Sequence, residues 1–157
     1  MRSNVGTRGV LFLASLGMMI LASVVVSTAQ EAIAPRPLPN PVPVFIGPEF
    51  YQTGGKQFTR YNYNIENSSA YPKEMFAASP DLPPCGQNTK ASRTWVDIYD
   101  QGGKRLNGFC ALGSPGDLSK LWFALEVDVI PPSYVYIEMT DRKTNTKYKS
   151  MLSETTQ

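Results

Sequence analysis

The chain has 157 residues, with 15 lysines and arginines against 13 aspartates and glutamates, two cysteines and no histidine. That length suits one domain. The missing histidine removes the commonest general base and metal ligand, and with them the usual nucleophilic triads; a formal charge of +2 leaves no electrostatic case for nucleic acid.

Residues 1–29 read as a secretory signal. Arg2 and Arg8 precede an apolar run from Val10 to Val26, and Ser27-Thr28-Ala29 places small residues where a signal peptidase cuts, after Ala29. The alternative is an uncleaved anchor, although a run of 17 residues is short for a bilayer span. Cleavage takes both arginines with it, so the mature chain is expected to be formally neutral, secreted or periplasmic, and without attraction to an anionic membrane surface. In residues 30–43 prolines stand at alternate positions from Pro35 to Pro43, which predicts an extended, semi-rigid spacer.

From 44 to 152 the pattern is that of short strands, and 153–157 is a tail. Val44-Phe45-Ile46 and Phe50-Tyr51, interrupted by Gly47-Pro48, suit an edge strand, and Gly54-Gly55 turns the chain. From Phe58 to Asn67 the residues alternate, with Thr59, Tyr61, Tyr63 and Ile65 on one face and Arg60, Asn62, Asn64 and Glu66 on the other, which predicts a strand with one buried side. Ser68 to Asn88 loses this period and gains four prolines; Lys73 to Ala78 is read as a helical turn or a loop crossing between sheets. A hairpin follows. Its first arm sets Val96 and Ile98 toward the core, leaving Trp95, Asp97 and Tyr99 on the other side, and Gly102-Gly103 supplies the turn before Leu106 and Phe109 return. Asp117-Leu118-Ser119 predicts a capped turn, Leu121, Phe123, Leu125 and Val127 one strand face, and Val135, Ile137 and Met139 another; Thr146 to Leu152 returns as a more polar strand.

Cys85 and Cys110 are expected to form a disulfide, because an exported chain meets an oxidising compartment and no histidine is present to build a catalytic or metal site with them. Seven or so short antiparallel strands, with no convincing helix after the signal, predict an all-β two-sheet sandwich; a small barrel is the runner-up.

Trp95 on the third strand, the Tyr134 to Met139 strand before a final hairpin, and the proline-rich entry make residues 44–152 resemble immunoglobulin-like and fibronectin type III domains. That resemblance implies an architecture and no activity. The chain departs from the antibody pattern in its cysteines, since neither the second strand nor Tyr134 to Asp141 contains one.

The candidate functional residues are few. Trp95 and Tyr99, opposite the core-facing Val96 and Ile98, together with Arg142 and Lys143, form the expected partner-binding surface. Tyr61 and Tyr63 beside them suit a sugar-stacking platform only if exposed; at period two they read as core. Lys147 and Lys149, near Arg142 and Lys143, make a small basic patch suited to an acidic partner or polysaccharide, with protection of an edge strand as the simpler reading. Glu126 and Asp128 lie about 7 Å apart along a strand by the rise per residue, and Asp97 and Asp100 near a turn, so carboxylate catalysis or calcium binding is conceivable, but solvent-facing acids explain them more simply. Asn67-Ser68-Ser69 matches the glycosylation sequon. The expectation is a non-enzymatic exported module, needing no cofactor or metal, that binds a protein or a glycan. The alternatives are a structural envelope component held by an uncleaved anchor and a carboxylate-only hydrolase.

Overall fold

A computed structural model describes residues 37–85 and 92–155, within a unit spanning Arg36–Gln157. The expected signal and the first part of the proline spacer lie outside the described residues. Within them are eight strands: β1 (Pro43–Thr53), β2 (Lys56–Ile65), β3 (Thr94–Asp100), β4 (Arg105–Phe109), β5 (Leu121–Glu126), β6 (Tyr134–Asp141), β7 (Thr146–Lys149) and β8 (Ser153–Glu154). They form two antiparallel sheets, one ordered β1-β2-β5 and the other β4-β3-β6-β7 with β8 also on β6. This is the predicted all-β sandwich. Among the described residues no helix is long and apolar enough to cross a membrane.

The alternating faces read from the sequence are the buried ones. Tyr63, Ile65, Val96, Ile98, Phe123, Val135, Ile137 and Met139 are fully buried between the sheets. Phe123 stacks on Tyr61 with centroids 4.9 Å apart and reaches Tyr63 at 6.1 Å. Tyr61 and Tyr63 are therefore core, as their period of two predicts, and burial pushes the Tyr63 phenol well above its ordinary range. Gly54 and Gly55 both adopt positive φ, the geometry of a two-residue hairpin loop whose twist matches its strands. In the β3–β4 turn Gly103 alone is left-handed, at φ 87°.

The aperiodic connection after β2 is also structural. Lys73–Phe76 is a short 3-10 turn that drives Met75 and Phe76 into the core, and the Thr94 hydroxyl donates to the Met75 carbonyl at 2.6 Å. The end of the proline segment is docked on the sandwich. Pro41 is buried and Leu38 packs on the core. Tyr71 Oη donates to the Pro39 carbonyl at 2.9 Å, Asn67 Nδ2 donates to the Asn40 carbonyl at 2.9 Å, and Asn67 Oδ1 accepts from the Val42 amide at 3.0 Å. Both polar atoms of the sequon asparagine are thus occupied in holding this segment.

The last strand is broken in two. Ser150 Oγ accepts from the Ile137 amide at 2.9 Å, taking a ladder position for its side chain. Met151 and Leu152 bulge into solvent before β8 rejoins β6.

Cys85 and Cys110 are joined, with Cα atoms 6.0 Å apart, at a sequence separation of 25. The bridge ties the end of the proline-rich loop to the end of β4. Removing it as Cys85→Ser with Cys110→Ser is expected to cost about 3 kcal/mol, mostly by freeing the unfolded chain. Urea titration of the variant checks this through a lowered midpoint.

Candidate functional site

The register of β3, β6 and β7 places Trp95, Asp97, Tyr99, Tyr136, Glu138, Thr140, Lys147 and Lys149 on the outer face of the larger sheet. The four predicted binding residues lie at this face but do not make one platform. Trp95 is half-buried beneath the Arg142 guanidinium, whose carbon sits 3.6 Å from the ring centroid. Both terminal nitrogens of Arg142 donate to the Pro83 carbonyl at 3.3 Å. Tyr99, four residues along, stacks instead on Tyr136 at 5.1 Å, and the Lys149 ammonium stands 3.9 Å from the Tyr136 centroid. Burial, then the Asp97 and Glu138 carboxylates, push the Tyr99 phenol up. Lys143 is exposed and faces a cleft of about 370 Å³ shared with Arg142 and residues 78–82.

The remaining charges on this face are paired. Arg105 Nε donates to Asp97 Oδ1 at 2.6 Å, its guanidinium crossing over Gly108, where a Cβ would fall 1.8 Å from Arg105 Nη2. Lys147 Nζ donates to Glu138 Oε1 at 2.8 Å. A sugar stacks on the open face of an aromatic ring, and here Trp95, Tyr99 and Tyr136 each already have a neighbour against the ring.

The outer face of the smaller sheet repeats the motif. Arg60 lies 4.5 Å over Trp122, beside Glu49 and Tyr51. Trp122 shares its strand face with Glu126, and its ring contact with Arg60 comes from β2, across the sheet. Both stacks contain an N–H left without an acceptor among the described residues, Trp95 Nε1 and Arg60 Nε. Each costs about 1–3 kcal/mol that stacking offsets in part.

The acids considered for catalysis are dispersed. Glu126 Oε1 accepts from Lys56 Nζ at 2.5 Å, and this partner raises the Lys56 pKa. Asp97 is held by Arg105, and Asp100 Oδ1 accepts from the Lys104 amide at 2.9 Å in the turn. Asp128 is exposed beyond the end of β5. Among the described residues no group of three potential metal ligands occurs.

A different surface lies at one end of the smaller sheet. Along the inward face of β5, Leu121 is 1% exposed, Phe123 0% and Val127 49%. On the other side of β2 in the same sheet, the inward face of β1 carries Phe50, 73% exposed. A bulge creates this arrangement: the register slips between Phe45 and Gly47, where φ is +138°, so Phe45 before it and Pro48 and Phe50 after it share one face. Two clefts of about 460 Å³ flank Phe50 and Val127, one reaching Phe45, Tyr61 and Pro131, the other Tyr51 and Phe58. Among the described residues none lining either cleft is charged. Val129 and Ile130 continue the apolar surface, Ile130 being 89% exposed. A faint signal for this existed in the sequence, because the Leu121 to Val127 apolar face runs on into Val129, Ile130 and Pro131 without a polar break on that side.

No family model matches the chain, and no curated protein or solved structure matches it.

Proposed function

We propose that the chain is a non-enzymatic, extracytoplasmic protein-binding module that takes an extended, apolar polypeptide segment onto the apolar end of its smaller sheet. The observation that carries this reading is Phe50, an inward-pointing aromatic left 73% exposed between two uncharged clefts. A contiguous exposed apolar patch on a folded domain marks an interaction site. A disulfide in the folded unit agrees with export. The strand order supports an immunoglobulin-like or fibronectin type III-like scaffold in that the first, second and fifth strands share one sheet and the third, sixth and seventh the other, as in an immunoglobulin constant-type sandwich, with the fourth strand moved to the second sheet. Such scaffolds present binding surfaces at their ends. A protein partner is favoured over a glycan because the exposed rings here form an uncharged cleft with few hydrogen-bonding groups, whereas the polar outer face keeps its rings covered.

Selection of displayed peptides on the wild-type domain, with counter-selection on Phe50→Ser, tests the reading. Phe50 packs little, so the variant should keep its urea midpoint within about 0.5 kcal/mol of stability. Enriched peptides are expected to carry large apolar residues at alternate positions and to bind Phe50→Ser at least about tenfold more weakly, the loss of one buried aromatic contact. Peptides that bind both forms equally, or enrichment from a glycan array alone, contradict it.

A further inference from the structure

We propose that the outer face of the larger sheet, along the border of β6 and β7, docks an extended acidic segment of a partner polypeptide. This surface is distinct from the apolar end and stands without it. Arg142, Lys147 and Lys149 cluster there, Lys147 already paired with Glu138. Arg142 lies over Trp95, which pairs with Thr140; Lys147 is opposite Thr140; Lys149 is opposite Glu138 and over Tyr136. Lys147 and Lys149 stand two residues, about 7 Å, apart along β7, while Arg142 lies across β6 from Lys147, over Trp95 of β3. An extended acidic peptide laid over this border meets these cations with carboxylates spaced along its chain.

The carboxylates on this face are already engaged, Asp97 by Arg105 and Glu138 by Lys147. Arg142, Lys143 and Lys149 have no carboxylate within 4 Å among the described residues. Asp81 shares the cleft with Arg142 and Lys143, on the wall formed by residues 78–82, and Glu154 lies toward the far end opposite Tyr134. The cations are held before any partner arrives: Arg142 by its ring contact and the Pro83 carbonyl, Lys149 by Tyr136. Ordering them in advance reduces the entropy lost on binding. Arg142 already gives both terminal nitrogens to the Pro83 carbonyl, so what it offers a carboxylate is its charge, seated on the Trp95 ring. The covered rings argue against a polysaccharide, which needs open faces to stack on, and for a polypeptide.

The probe is a fluorescein-labelled oligoglutamate peptide, titrated by polarisation at low ionic strength with the full domain. Three forms are compared: wild type, Lys143→Gln with Lys149→Gln, and a control of equal net charge, Lys73→Gln with Lys120→Gln. The wild type and the control are expected to bind alike, the double variant about tenfold more weakly, and added salt to weaken all of them. Phe50→Ser should bind this peptide as the wild type does, which separates this surface from the apolar end. A wild type that ignores the peptide, a control that loses as much as the variant, or sulfated dextran bound in place of the peptide overturns the proposal.

Discussion

Truncating Phe123 to alanine is expected to destabilise the sandwich by about 3–5 kcal/mol. The side chain is fully buried and stacks between the sheets on Tyr61 at 4.9 Å, with Tyr63 at 6.1 Å. Its loss removes transfer energy and leaves a cavity among rigid rings and β-strands that cannot collapse to fill it. A domain of this size has about 5–15 kcal/mol in total, so the variant should unfold at a much lower urea midpoint with an unchanged slope. A midpoint shift of under about 1 kcal/mol would mean that the two sheets are not packed around this ring.

Asp141→Ala is the second large effect. Asp141 is 3% exposed at the end of β6 and takes Arg93 on both carboxylate oxygens, with Nε at 2.6 Å. The same group accepts from the Lys143 amide at 3.0 Å and the Thr144 hydroxyl at 2.8 Å, which shapes the turn into β7. Removing it strands a partly buried guanidinium and opens the turn, an expected loss of about 3 kcal/mol. The Arg93 hydrogen bond holds the Asp141 carboxyl below the usual range, against the opposing effect of burial, and Thr144 and Lys143 add to it. A depressed folded-state pKa gives stability that is fully present above the unfolded value, near 3.9, and is lost as pH falls through the folded value. The wild type should therefore lose stability on acidification below about pH 4, and Asp141→Asn should lose less over the same interval. Urea midpoints measured across that range for both proteins check the sign; parallel curves would remove Asp141 from the acid response.

How much of this was legible in the sequence depends on whether local pattern or distant packing decides. Alternation in β2, β3, β5 and β6 sorted inward from outward residues correctly, because one buried face imposes a period of two wherever a strand is regular. Irregular places were opaque. The bulge at Gly47 adds a residue and reverses the phase of β1, so Phe45 and Phe50, odd and even, end on one side. Met75 and Phe76 reach the core from a single 3-10 turn too short to show any period. Ser150 breaks the last strand by a side-chain hydrogen bond that composition does not announce. Trp95 and Tyr99 were placed on the right face, but their ring neighbours come from β6 and the turn beyond it, which only the register reveals. The apolar end was the least visible feature. Val127 looks like a core residue by pattern, yet it lies just past the end of β5 and is 49% exposed.

The measurement that bears most directly on the account is a two-dimensional amide NMR titration of the labelled domain with a selected apolar peptide. Binding at the apolar end should perturb amides of residues 45–50, 125–131 and 155, and leave those around Trp95 and Cys110 in place. Shifts confined to the outer face of the larger sheet, or no saturable shifts at all, would contradict the claim that the apolar end of the smaller sheet is where this protein holds its partner.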